Sequence, residues 1–298
     1  MIGTANPVRL AASRSGSVVW ANGLPIIVRT ASGEAQRVGY FTAIVLAGDR
    51  GPNDPVARAA GVCCKALSPV GGQPMVLRVL TALEQSPAVA GRLLCGPPWP
   101  AVEQNARLHA GIAAGDFGWL ATQAPPSASA AAALQTLPEQ VPVLLTTADH
   151  ALLSPRIVDY FCAQASHSGC DAVVGLARYE QVAAAYPGIR RTVLKFQDNS
   201  YCSCNLFAFL TPRGRAVADF WRQVEQQRKR PVRMLRILGW TTVLRYLLGR
   251  LSLSAALARL SHRLGLRLGY VLLPFPEAAV DVDSIDDWMF VRRLAGGD

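Results

Sequence analysis

The sequence predicts an α/β protein: a single doubly wound, mostly parallel sheet carrying a C-terminal helical insertion. Three observations predict it. Short, continuous apolar runs alternate with segments of helical period. The apolar runs lack a polar face, as strands buried on both sides do. The 298 residues, 51% hydrophobic and 17% charged, suffice for one large core without staples. Repeated β-α-β order then implies right-handed crossovers.

Residues 1–38 hold four Arg, one acidic residue and no sustained period, which predicts a poorly ordered extension ahead of a domain at 39–298. Its "SVVWANGLPIIV" is too broken by Asn, Gly and Pro for a signal segment. "YFTAIVL" (40–46) is the first strand, followed by some two dozen Gly/Pro-rich residues read as a loop. "PMVLRVLTALEQ" is a helix, and "RLLC" (92–95), "WLAT" (119–122) and "VPVLLTT" (141–147) are further strands. The helices between them are "PAVEQNARLHAGIAA", "SASAAAALQTL" and "SPRIVDYFCAQAS", the last opened by Ser154-Pro155 as N-cap and first-turn proline. "DAVVGLA" (171–177), "RTVLKF" and "NLFAFL" complete the strands.

Composition excludes several classes. No apolar run reaches the roughly 18–20 residues of a membrane span. The seven Cys (63, 64, 95, 162, 170, 202, 204) are scattered without a CxxC pair, which predicts reduced thiols and a cytoplasmic protein. Cys63-Cys64 and Cys202/Cys204 read as small buried hydrophobes and not as metal ligands.

Ligands of open α/β sheets sit outside the carboxyl ends of the strands, where the loop after "AIVL" lies. Gly48 and Gly51 let backbone N–H groups approach a phosphate, Arg50 can fork onto its oxygens, and Lys65 adds a point charge. Neither GxxxxGK[ST] nor GxGxxG is present.

"LAGDRG", then "KAL", then "VGGQPMVLRVL" resembles the signature LAGGxGxR…K…GxPxLxxxL of the nucleoside-triphosphate transferases with a GT-A-like, Rossmann-type fold, in their molybdopterin-guanylyltransferase-like (MobA-like) branch. Three later pieces agree in order. "PPSASAAAALQTL" (125–137) is similar to the segment that meets the base, and "VPVLLTTADHALLSP" (141–155) to the strand ending in a metal-binding Asp. "AAVDVDSIDDWMFVRRL" (278–294) is similar to the closing element. The chain departs from the pattern at Asp49, which replaces the second Gly, and in the length of the loop from Arg50 to Lys65.

The resemblance implies attack by an acceptor phosphate on the α-phosphorus of an NTP, with release of pyrophosphate and with Mg²⁺ (or Mn²⁺) as cofactor. It implies catalytic roles for Arg50, Lys65 and Asp149, and nucleotide contacts from Leu46, Ala47, Gly48, Asp49, Gly51, Ser127 and Ser129. Asn205 would meet the acceptor, and Asp149 with Asp281 and Asp283 would hold the metal. The residues support part of this by themselves. Asp281 and Asp283 flank Val282, so both point one way along an extended chain, and such carboxylates repel unless a cation screens them. Ser127 and Ser129 have helix capping as their plainer role, His150 has packing, and Asp286 and Asp287 suit a helix dipole. A glycosyltransferase using "DVD", and an inactive membrane-docking adaptor, are the alternatives.

The net charge of +10 is unevenly spread. Residues 211–270 hold 13 Lys+Arg against Asp219 and Glu225. This predicts a basic helical insertion at about 212–266, broken at Pro231, Gly249 and Gly265, with Arg230, Arg233, Arg236 and Trp240 on one arc. Its expected partners are a phosphorylated small-molecule or lipid-linked acceptor and the inner face of a membrane; nucleic acid is disfavoured, since no binding motif is present.

Overall fold

Strand character is strongest in β1 (Phe41–Leu46), where all six side chains are buried. In the computed structural model, residues 40–49, 53–227 and 239–296 are described, with a two-residue antiparallel pairing of Val28–Arg29 and Ala35–Gln36. The extension expected over 1–38 otherwise lies outside the described residues, as do Arg50, Gly51, Arg230, Pro231, Arg233 and Arg236.

The main sheet continues through β2 (Val89–Cys95), β3 (Gly118–Leu120), β4 (Val143–Thr147), β5 (Ala172–Arg178), β6 (Leu194–Lys195), β7 (Ser200–Phe209) and β8 (Leu268–Leu272). Its spatial order is β8-β5-β7-β4-β1-β2-β3, with β6 paired to β7. The neighbours along this path run parallel except β7, which is antiparallel to both β4 and β5.

The helices are α1 (Pro55–Ala60), α2 (Met75–Glu84), α3 (Trp99–Glu103), α4 (Ala106–Ala114), α5 (Pro126–Thr136), α6 (Pro155–His167), α7 (Tyr179–Ala185), α8 (Ala216–Gln227), α9 (Trp240–Leu247), α10 (Leu253–Leu264) and α11 (Ile285–Leu294). The pleat of β1 shows why the sheet is covered twice. Phe41, Ala43 and Val45 pack with Leu80 and Leu83 of α2 and Phe161 of α6. Ile44 and Leu46 pack with Ala130 and Leu134 of α5 and Ala218 of α8. Alternate residues thus feed two apolar layers.

Several elements differ from expectation. The Gly/Pro-rich stretch contains α1, which Asp54 caps through the N–H groups of Val56 and Ala57, and which Gly61 ends in the left-handed region. "RTVLKF" shrinks to β6, while β7 begins five residues before "NLFAFL". β8 follows directly on the expected insertion, in Arg/Leu-rich sequence that does not read as a strand, and α7 has too short a period to read.

Asp171 closes the base of the insertion. Its Oδ1 accepts from the Thr211 hydroxyl at 2.9 Å and its Oδ2 from the Arg267 N–H at 2.8 Å. Its backbone N–H donates to Arg267 O, and its carbonyl accepts from Leu210 N–H. Gly214 lies so close that a Cβ there would sit 2.0 Å from the Asp171 carbonyl oxygen. Between these ends α8 packs on the sheet, while α9 and α10 end at Gly249 and Gly265, both at positive φ.

Gly214→Ala is expected to lower the unfolding midpoint, because backbone must move to admit the methyl group; an unchanged midpoint contradicts this close approach. Burial alone would raise the Asp171 carboxyl, but the Arg267 N–H and the Thr211 hydroxyl hold it below the ordinary value. A folded-state pKa below the unfolded one means that the stabilisation is present above pH ~4 and fades as pH falls through the folded value. Asp171→Asn should remove that acid-limb loss from a urea-denaturation series and cost about 1–3 kcal/mol at neutral pH.

Candidate functional site

The site gathers at the carboxyl ends of β1 and β4. Past β1 the chain must turn sharply beside its neighbours, and Gly48 permits this, since a Cβ there would lie 2.9 Å from Thr122 Cγ2. Leu46 and Ala47 are buried in the core, so only their backbone can face a ligand. Asp49 reaches across the loop: its Oδ1 and Oδ2 accept from the Lys65 N–H at 3.0 and 3.2 Å. The residue that departs from the family signature therefore pins the two ends of the long loop together. Burial raises the Asp49 carboxyl above its usual range.

Lys65 opens a single 3₁₀ turn, Lys65–Leu67, that aims its side chain inward. Its ammonium donates to Asp149 Oδ2 at 2.6 Å and to the Val282 carbonyl at 3.0 Å, and lies 3.8 Å from Asp283 Oδ1. Both side chains of the Lys65–Asp149 pair are largely covered, at 13% and 15% exposure. The lysine is thus largely covered and paired. Burial works to raise the Asp149 carboxyl, yet the Lys65 ammonium holds it below the ordinary value. Its second oxygen, Oδ1, is buried and makes no hydrogen bond of good geometry, although the Thr147 hydroxyl, itself without a partner, lies close enough to help hold the carboxyl down.

The closing segment is strapped on beside this pair, because the Val282 N–H donates to Asp149 O at 3.1 Å. Asp281 and Asp283 then part company. Asp281 is held by Arg191, whose Nη1 bonds both its carboxylate and its carbonyl, and by the Asn205 amide at 2.7 Å. Arg191 also pairs with Asp287, whose other oxygen accepts from Ser284 in a capping box. The two carboxylates flanking Val282 thus rest on different cations. Burial, with the Asp149 charge adding to it, pushes Asp281 up to about 6.

Asn205 is the one non-glycine residue at positive φ (49°) among the described residues, at a register shift between Ser203 and Phe207. Its amide turns to Asp281, where the sequence suggested an acceptor contact. His150 is fully buried, and burial pushes its imidazole down to about 4. Arg191 was missed by the sequence reading; it lies in "IRRTV" with nothing to mark it from its neighbour Arg190.

A cleft of about 540 Å³ is lined by Gly48, Asp49, Thr122, Gln123, Ser129 and Glu225 among others; Lys65, Asp149 and Asp283 do not line it, and it meets them through Asp49, which holds the Lys65 N–H. Ser129 is committed to the loop, accepting from the Gln123 N–H at 2.7 Å and donating to its carbonyl at 2.9 Å. The Ser127 hydroxyl is buried without a partner, and its N–H donates to Glu225 Oε2 at 3.3 Å. Neither serine caps α5, whose N-cap is Pro125. Glu225 belongs to α8, so the insertion contributes to the cleft wall. Among the described cysteines, Cys64, Cys202 and Cys204 are buried and Cys63 is exposed, all as free thiols.

No group of three or more His, Cys, Asp or Glu among the described residues could hold a metal unaided. A hard divalent ion that takes one or two carboxylates and completes its shell with phosphate and water oxygens has other requirements. Asp149, with its unpartnered buried oxygen, and the neighbouring Asp283 fit those.

Fold and site together define a nucleotidyltransferase. The family profile of the MobA-like NTP transferase domain matches residues 43–267, and the chain belongs to that family. A hypothetical transferase from Thermus thermophilus is similar at 30% identity with a TM-score of 0.68, covering 83% of this chain and 98% of its own. The CMP:2-keto-3-deoxy-manno-octonic acid synthetase in complex with CTP shares the fold at 13% identity and a TM-score of 0.50, covering 86% and 98% of the two chains. The comparison with curated proteins finds none that matches.

Arg191→Met leaves two carboxylates without their cation in a site where the guanidinium is 6% exposed. It is expected to destabilise the protein by about 3–5 kcal/mol in urea titration. Adding Asp281→Asn should recover part of that loss. A single variant with the native midpoint would show that Arg191 does not secure the closing segment.

Proposed function

We propose that the protein transfers an NMP group from an NTP to an anionic, phosphorylated acceptor, small-molecule or lipid-linked, in a Mg²⁺-dependent reaction that Mn²⁺ can also support. An acceptor phosphate oxygen bonds to the α-phosphorus, the bond from that phosphorus to the bridging oxygen breaks, and pyrophosphate leaves with the electron pair. The observation that carries this reading is the Lys65 ammonium set on Asp149 and near Asp283, at the strand ends beside a cleft walled by the Gly48–Asp49 loop.

Each group has a task in that reaction. Such transfers depend mainly on positioning and charge neutralisation. The backbone at Leu46–Asp49 lines the path for the triphosphate, with Arg50 and Gly51 proposed to extend it. Lys65 supplies positive charge to phosphate oxygens, held at the correct depth by Asp149 and the Val282 carbonyl. Asp149 and Asp283 would hold the metal, which when bound neutralises charge developing on the α-phosphoryl oxygens. Asp281 serves through Arg191 and Asn205 to fix the closing segment. A phosphate acceptor arrives ionised, so no general base is required, in keeping with a buried, neutral His150. Pro126 and Ser129 at the N-terminal end of α5, with Glu225, face the side of the cleft proposed for the base, and Ser127 lies buried behind them. The commitment of Asp281 to Arg191 weighs against a glycosyltransferase in which both carboxylates of "DVD" are free.

Asp149→Asn and Asp283→Asn are each expected to lower the rate of pyrophosphate release roughly 10²–10³-fold and to abolish the Mg²⁺ enhancement of NTP binding seen by calorimetry. Lys65→Ala should weaken NTP binding and also cost stability, since it leaves Asp149 covered and unpaired. Parallel titrations with nucleotide sugars test the competing reaction. Binding of nucleotide sugars in preference to NTPs, with or without metal, or unchanged activity in both Asp variants, would overturn the proposal.

A further inference from the structure

The reaction leaves unused the face of the insertion that points away from the domain. Helix α9 is packed on one side, where the Tyr246 ring meets Phe196 with centroids 5.6 Å apart. Its other side carries Trp240, Leu244, Leu247 and, just past its end, Leu248, at spacings that form one stripe. These side chains are 68%, 47%, 75% and 59% exposed. A contiguous exposed stripe of one Trp and three Leu marks a contact surface.

The charge along this stretch of the sequence is of one sign. From Gln226 to Pro276 there is no acidic residue, while ten Lys and Arg fall in the same span. Of these, Arg245 and Arg250 are exposed beside the stripe. Arg263 lies at its start, with a guanidinium nitrogen 3.3 Å from where a Gly239 Cβ would be, and Arg259 reaches the Thr241 hydroxyl at 3.5 Å. Aromatic and aliphatic side chains on one face, flanked by arginines, suit the boundary between headgroups and acyl chains of an anionic bilayer. A second copy on a two-fold axis would set Arg245 and Arg250 against their own counterparts. Nucleic acid would leave the apolar stripe without a partner. No helix among the described residues is long and apolar enough to cross a membrane, so the contact is peripheral.

The stripe lies at the same end of the sheet as the site. The turn after α9 is tied to the β6–β7 hairpin through Gln197 N–H to Leu251 O and Leu253 N–H to Asp198 Oδ1, both at 2.9 Å. That hairpin stands beyond the end of β5, where Tyr201 pairs with Arg178, on the side where β4 delivers Asp149.

We infer that α9 docks the protein onto an anionic phospholipid surface, its Trp240–Leu248 stripe entering the interface and its arginines meeting the headgroups. The docking stands without the nucleotidyl-transfer reading; that a docked enzyme meets a lipid-linked acceptor rests on it. Co-sedimentation with vesicles tests the docking in the absence of any nucleotide. The full-length protein should bind phosphatidylcholine vesicles containing about one-third phosphatidylglycerol and ignore pure phosphatidylcholine. Binding should weaken as salt rises, because exposed charges are screened over about 8–10 Å at physiological ionic strength. Trp240→Gln/Leu247→Gln and Arg245→Gln/Arg250→Gln should each lower vesicle affinity at least about tenfold, with unchanged melting temperature and NTP binding. No binding to anionic vesicles at low salt would overturn the inference. So would apolar-stripe variants that bind like the native protein, or a dimer in sedimentation velocity that Trp240→Gln/Leu247→Gln dissolves. Tight binding to duplex DNA or RNA with none to vesicles would assign the surface to nucleic acid instead.

Discussion

One ion pair organises the site end of this molecule. The Lys65 ammonium on Asp149 joins the loop after β1 to the end of β4, and through the Val282 carbonyl it joins both to the closing segment before α11. Each of these is far from the others in sequence, so their positions depend on contacts made only in the folded chain. A half-buried pair of this kind is strongly destabilising to break, because the surviving charge remains covered. The same property makes it useful. In the transfer proposed above, an ammonium fixed against a carboxylate would already be placed for phosphate, and one oxygen of that carboxylate makes no hydrogen bond.

Around the pair, charge falls into two groups, each about one cation: Asp149 on the Lys65 ammonium, with Asp49 on the Lys65 backbone, and Asp281 and Asp287 on Arg191. Carboxylates outnumber cations there, which is why Asp281 is pushed up and why the site favours added positive charge. Among the described residues Asn205 is the one non-glycine in left-handed backbone, which is tolerable for an asparagine and brings its amide to Asp281.

Most of the fold could be read from the sequence because its strands are uniformly apolar and its helices periodic. β1, β4, β5, α2 and α6 declare themselves in this way. α1 did not, since six residues between Pro and Gly carry too little period, and β8 sat inside a run of Leu and Arg that fits a helix equally well. For the site, Gly48, Asp49, Lys65, Asp149 and Asp283 are brought together, whereas Asp281 turns to Arg191 and Asn205 turns to Asp281. Arg191 was not legible because its partners lie about ninety residues away in sequence. The contribution of Glu225 to the cleft was equally hidden, because it depends on how α8 packs against α5.

The central claim is that Asp149 offers its unpartnered oxygen to a divalent cation shared with a bound triphosphate. Crystals grown with Mn²⁺ and a non-hydrolysable NTP, with data collected near the manganese absorption edge, test this most directly. The account predicts an anomalous peak about 2.0–2.2 Å from Asp149 Oδ1, shared with Asp283 or with phosphate oxygens that also reach Lys65. A triphosphate bound in the cleft with its manganese away from Asp149, or a triphosphate lying elsewhere on the molecule, would contradict it.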